Sequence, residues 1–210
     1  MVTQTINGRE RPLGILLAGG FSKRFGLNKL SQRLDGTTVA EHSAKVLSSV
    51  CARSYEAGIG LTSLPQIPDS VGRGPLAAIS QAVTFLRKSG DLSSTQCALV
   101  LAADLPLISA ASLTYLAEWP GYASVVPVVD GRAQFLSARW SAQALNLSIS
   151  LVEADQLRVQ DALKYSPTHW LSIEHWDRNS PEFLDVDTPD ELALARIAMK
   201  TPAGIRTRSD

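Results

Sequence analysis

Six consecutive apolar residues, Cys97-Ala98-Leu99-Val100-Leu101-Ala102, run without polar alternation and stop at Ala103-Asp104-Leu105-Pro106. A run of this kind reads as a strand covered on both faces, in the middle of a parallel sheet. A second run, Leu13, Ile15, Leu16 and Leu17, enters the pair Gly19-Gly20. Helical patterns lie between and after them. Thr37-Thr38-Val39-Ala40-Glu41 resembles a capping box, and Ala40, Ala44, Val46, Leu47 and Val50 continue it as an apolar stripe. Pro75 suits the first turn of a helix through Ala77, Ile79, Ala82, Val83 and Leu86 that ends near Ser89-Gly90. Residues 110–118 read as a helix, residues 55–60 as a weaker strand and residues 123–129 as another apolar strand. Strand and helix thus alternate, predicting an α/β chain with a mainly parallel sheet between two helical layers.

Right-handed crossovers bring the C-terminal ends of such strands, and the loops leaving them, to one edge. Two loops and one residue are expected to meet there in a cleft: the Gly19–Lys29 loop, the Asp69–Gly74 loop, and Asp104. The first carries Ser22, Lys23, Arg24 and Lys29. Glycines allow close backbone approach, successive N–H groups make an anion-binding concavity, and the cations add charge. This reads as a phosphate cradle, the other reading being a glycine-rich strand–helix turn with solvated charges; it is not a Walker A loop, because five residues separate Gly20 from Gly26 and Leu27 follows. Nor is it a nucleophile elbow, since Gly20-Phe21-Ser22-Lys23 continues to Arg24. Gly72-Arg73-Gly74-Pro75-Leu76-Ala77 matches G-x-G-x-x-A, but that motif must follow a strand, and residues 66–70 read as loop.

Asp130-Gly131 predicts a tight hairpin turn between residues 124–129 and 134–138. A helix is expected at 141–147, residues 148–165 carry no legible period, and 168–176 alternate roughly as a strand. Thr188-Pro189-Asp190-Glu191 opens a final helix with cap, N1 proline and early acids in order. Residues 1–200 are read as one domain and the polar stretch 201–210 as a disordered tail.

Basic and acidic residues balance at 20 each, so no global field favours nucleic acid. Residues 1–12 lack the apolar core of a secretory signal, and no run is long enough to span a bilayer, which points to the cytoplasm and to no membrane partner. Cys51 and Cys97 are isolated and read as buried small hydrophobes. His42, His169 and His175 read as structural, and no nucleophilic triad is legible.

Asp104, just past a buried strand and beside a phosphate cradle, is the candidate Mg²⁺ ligand, with Asp185 or Asp187 as a second carboxylate. Helix capping after Pro106 and at Thr188 would also explain these acids. A cradle, cations and a metal-binding acid suit in-line displacement on a nucleoside triphosphate, which needs positioning and charge neutralisation rather than a covalent nucleophile.

The stretch Leu17-Ala18-Gly19-Gly20-Phe21-Ser22-Lys23-Arg24-Phe25-Gly26-Leu27-Asn28-Lys29 resembles the signature L-A-G-G-x-S-x-R-[MF]-G-x-[DN]-K of the molybdenum cofactor guanylyltransferase family. Four further segments resemble that family in the same order. They are Asp69-Ser70 with Gly74-Pro75-Leu76-Ala77, then Leu101 to Leu107, then Asp130-Gly131-Arg132-Ala133-Gln134-Phe135-Leu136, and finally Asp185 to Leu192. The resemblance implies a three-layer α/β/α Rossmann-like nucleotidyltransferase fold, its mostly parallel sheet extended by a C-terminal hairpin or antiparallel addition. It implies transfer of GMP from GTP to molybdopterin, or its molybdenum form, with release of pyrophosphate and dependence on Mg²⁺. Leu17, Ala18 and Gly19 would then meet guanine and sugar; Gly20, Ser22, Arg24 and Lys29 would hold the triphosphate. Asp69 would read guanine, Gly74 and Pro75 would line the nucleotide site, and Asp104 with Asp187 would take the metal. Lys29, Arg24 and Asp104 would be the catalytic set, and molybdoenzyme-maturation proteins the candidate partners. The chain departs from the pattern at Asn28, Ala78, Ala103, Phe135 and Asp187, and lacks an asparagine in residues 54–60. Two other functions suit the same residues: CMP or GMP transfer to another phosphorylated acceptor, and a nucleotide-binding regulatory module without turnover.

Overall fold

The structure is a computed structural model that describes residues 5–6, 9–19, 29–68, 73–172, 181–183 and 185–200. Its centre is an eight-stranded sheet. Strand β3 (Leu13–Ala18) pairs in parallel with β6 (Arg53–Gly58) on one side and β8 (Ala98–Ala102) on the other. Beyond β6 lies the short strand β7 (Gln66–Pro68), also parallel. Residues 66–68 were expected to be loop. The correction has a simple cause: at the sheet's edge a proline loses no ladder bond, so composition that argues against a central strand does not argue against this one. Two small antiparallel pairs, β1 (Thr5–Ile6) with β2 (Arg9–Glu10) and β4 (Arg33–Leu34) with β5 (Thr37–Thr38), stand apart from it.

On the other half of the sheet, β9 (Ser124–Val129) runs the same way as β8 but does not touch it. Between them sits an interrupted antiparallel strand, β10 (Arg132–Ala133) and β11 (Ser137–Trp140). Asp130 and Gly131 both hold positive φ, 49° and 74°, as the Asp-Gly turn requires. Strand β12 (Thr168–Ser172) closes the sheet by pairing in parallel with β9. The antiparallel hairpin therefore lies inside the sheet rather than at its margin.

Alternate residues of the buried strands feed two cores. Leu13, Ile15 and Leu17 face α2 (Pro75–Lys88), α4 (Ala142–Glu153) and α5 (Val159–Lys164). Leu16, Ala18, Leu99 and Leu101 face α1 (Val39–Val50) and α3 (Ala110–Glu118). Helix α1 begins as expected, with Thr38 Oγ1 accepting from Glu41 N at 3.1 Å. Its Glu41 side chain, however, reaches the backbone N and hydroxyl of Ser63, both at 2.8 Å, instead of closing a capping box. The unreadable stretch 148–165 holds the second half of α4 and all of α5. Helix α6 (Pro189–Lys200) packs Leu192 and Ala195 with Val186 against Leu34 and Val39 beside the start of α1.

Candidate active site

Asp104 stands just past β8, in a turn fixed from four directions. Ala102 N donates to Leu136 O at 2.6 Å and Ala103 N to Leu17 O at 3.1 Å. The Ser43 hydroxyl of α1 lies 3.2 and 3.3 Å from the Ala103 and Leu105 carbonyls. Val186 N donates to the Asp104 carbonyl at 3.0 Å. Hairpin, first strand, first helix and C-terminal segment all meet on one carboxylate-bearing turn. Ser43 was not foreseen, since a lone serine in an apolar helical stripe carries no signal of its partner.

Lys29 opens a short 3₁₀ turn, Lys29–Ser31, whose Leu30 is buried in the α1 side core. Its ammonium bonds Asp104 Oδ2 at 2.7 Å and Asp187 Oδ1 at 2.5 Å. Burial disfavours the charged ammonium, but the two carboxylates outweigh it and hold the lysine above its ordinary pKa. Asp187 is itself held by its backbone N–H on Glu191 Oε2 at 2.7 Å, while Thr188 Oγ1 caps α6 through Glu191 N at 3.2 Å. The helix capping expected at Thr188 is present, and in the same segment Asp187 meets Lys29. Asp185 is pushed above the usual carboxylate range, first by burial and then by the charges of Asp187 and Asp104.

Beside this cluster opens a cleft of about 820 Å³. One wall is the hairpin, with Asp130, Arg132, Gln134 and Phe135; the other carries Asp104, Phe183 and Asp185. Phe135 meets Trp170 of β12 edge-on, ring centroids 6.3 Å apart. Its carbonyl accepts the buried Trp140 indole N–H at 3.0 Å, so the cleft wall is pinned to the core.

The other expected site residues fall as follows. Leu17 and Ala18 are buried at the end of β3, with Gly19 exposed beyond them. Gly74, at φ 88°, caps α2, and Pro75 begins it at the same sheet edge. Gly20, Ser22, Arg24 and Asp69 lie outside the described residues, as do residues 173–180 with His175. Glu56, at β6, is fully buried and was missed, because a carboxylate in a strand sequence reads as solvent-facing.

A mostly parallel sheet whose edge gathers a lysine, two aspartates and a cleft is the architecture of a nucleotide-handling α/β enzyme. The family described as "MobA-like NTP transferase domain" matches residues 14–166, and the chain belongs to it; it is a nucleotidyltransferase. Two relatives, from Chloroflexus aggregans and Bacillus cereus, each bear the name "Probable molybdenum cofactor guanylyltransferase". The first is 29% identical over 206 residues, covering 90% of this chain and 95% of its own. The second is 27% identical over 196 residues, covering 87% and 94%. The fold is similar to that of molybdopterin-guanine dinucleotide biosynthesis protein A from Archaeoglobus fulgidus, with a TM-score of 0.71 at 20% identity over 90% of this chain and 100% of the other.

Proposed function

We propose that this chain transfers GMP from GTP to molybdopterin, or its molybdenum form, and releases pyrophosphate. The observation that carries the reading is the Lys29–Asp104–Asp187 cluster placed beside the hairpin cleft. It is supported by the names of the relatives and by the segments matching their family's pattern. The acceptor's phosphate oxygen attacks the α-phosphorus of GTP, the bond to the β-phosphate bridging oxygen breaks, and pyrophosphate leaves.

Both carboxylates already converge on one cation, the Lys29 ammonium, and offer the hard oxygens that Mg²⁺ takes alongside substrate phosphates and water. This donor set fits the ion, although no group of three His, Cys, Asp or Glu is clustered for a metal among the described residues. Bound there by Asp104 and Asp187, Mg²⁺ would neutralise phosphate charge. Lys29 would then exchange its carboxylates for the triphosphate and stabilise charge developing at the α-phosphorus. Leu17 to Gly19, Gly74 and Pro75 would line the nucleotide, with Gly20, Ser22, Arg24 and Asp69 contributed by the segments outside the described residues. The hairpin wall, with Arg132 and Phe135, would receive the acceptor. The same reading takes residues 1–200 as one domain acting in the cytoplasm.

Pyrophosphate release, measured with GTP, CTP or ATP and Mg²⁺, with and without molybdopterin, tests it. GTP- and acceptor-dependent release is expected. Release with CTP alone would sink the guanylyl assignment, and no release with any pair would favour a regulatory module. Asp104→Ala should cut turnover by about 10²- to 10³-fold, the scale of losing a charge-stabilising group, with the fold intact by circular dichroism. Retained activity would place the metal elsewhere.

A further inference from the structure

Glu56 is a fully buried carboxylate that the proposed chemistry leaves unused. Its Oε1 accepts from Gly60 N at 2.7 Å and Leu61 N at 2.9 Å; its Oε2 accepts from Thr62 N and Thr62 Oγ1, both at 2.8 Å. Three successive backbone amides therefore turn inward onto one side chain. In a planar trans peptide the C=O points opposite to the N–H, and the described residues contain no cis bond. The carbonyls of Ile59, Gly60 and Leu61 consequently point away from the buried carboxylate, from a loop whose Ile59 and Gly60 are exposed.

This loop leaves the C-terminal end of β6, next to the end of β3. Gly58 lies so near β3 that a Cβ there would sit 2.7 Å from the Ala18 carbonyl. Gln66 Nε2 donates to the Gly58 carbonyl at 2.8 Å, and Ser63 is tied to Glu41 of α1, so the loop is fixed at both margins. A rigid row of carbonyls beside the strand end that enters the nucleotide loop accepts hydrogen bonds and donates none. It suits a nucleobase edge rich in N–H donors, as the N1–H and 2-amino groups of guanine are, over the adenine edge, which carries an acceptor at N1.

We infer that Glu56 is a positioning residue for base selection: it turns the 60–62 amides inward and so presents the 59–61 carbonyls as an acceptor rim. The inference rests on the guanylyl reading. It is tested on the full chain by pyrophosphate release with GTP and ATP varied in turn at saturating molybdopterin. Glu56→Gln puts an NH₂ where an amide-accepting oxygen stood, so each inward amide faces a worse partner. The GTP KM should rise about tenfold, the size of one well-made hydrogen bond, with kcat within about twofold and the GTP-over-ATP preference reduced. The acceptor KM should not move. An unchanged GTP KM and GTP/ATP ratio would overturn the inference, as would a loss confined to kcat, which signals fewer folded molecules. If Glu56→Gln does not fold, Thr62→Val removes one donor to the carboxylate and decides in the same way: a GTP KM raised about threefold supports the rim, an unchanged one removes it. A parent enzyme inactive with GTP defeats the guanylyl reading and the rim together, whereas an active parent with an unmoved variant defeats the rim alone.

Discussion

Single residues here do work that their neighbours in sequence do not announce. Arg139, on β11, is buried yet donates to four carbonyls, those of Ala117, Trp119, Gly121 and Ala123, and so fastens the α3–β9 connection. Cys51 closes α1 against β3 and β6, where burial pushes its thiol up from 9.0 to about 12. It should therefore resist alkylation in the native protein at pH 8 and react only after unfolding. Rapid modification without loss of the fold would contradict its placement. The sign of the linked pH effect follows: above the unfolded pKa the unfolded chain loses a proton that the folded chain keeps. Stability should thus fall as pH rises from about 9 towards 12, by at most about 1.4 kcal/mol per unit from this group. His42, on the same helix, is shifted down by burial and then by Lys45.

Whole elements show where sequence patterns speak and where they fall silent. The strands β3 and β8 were legible because both faces are covered and every position is apolar. The Asp-Gly turn was legible because few other residue pairs tolerate its backbone. Gly131→Ala should cost about 1 kcal/mol in denaturant unfolding, since the residue holds φ 74°. If the hairpin wall seats the acceptor, the same variant raises the acceptor KM and leaves the GTP KM alone; the reverse pattern would move the acceptor off this wall. Helix α5 was not legible because its six residues are too few for a helical period to register. The strand β7 was hidden by prolines whose lost donors cost nothing at an edge. Within the site, Asp104 and Lys29 could be picked out from their motifs. Ser43 and Glu56 could not, because each acts through backbone groups that only the fold brings near.

Across the whole molecule, the family match ends at residue 166, whereas the lysine at the front of the chain is completed by Asp187 near its other end. A small core of its own holds this closure, with Val186 fully buried among Leu34, Val39, Leu192 and Ala195. Val186→Ala removes two methyl groups from that core and should destabilise the chain by about 2 kcal/mol. It should also weaken nucleotidyl transfer more than an equal loss elsewhere, because the segments on either side carry Asp185 and Asp187. Turnover tracking stability alone would show the clasp to be mere packing. The Lys29–Asp187 contact spans 158 positions, and that separation sets an order in time. During synthesis the lysine and Asp104 leave the ribosome well before their third partner, so the charged cluster stays incomplete until nearly the last described helix is being made. A chain cut short of Asp187 would hold Lys29 and Asp104 without the second carboxylate, so the charged cluster is complete only once Asp187 has been made.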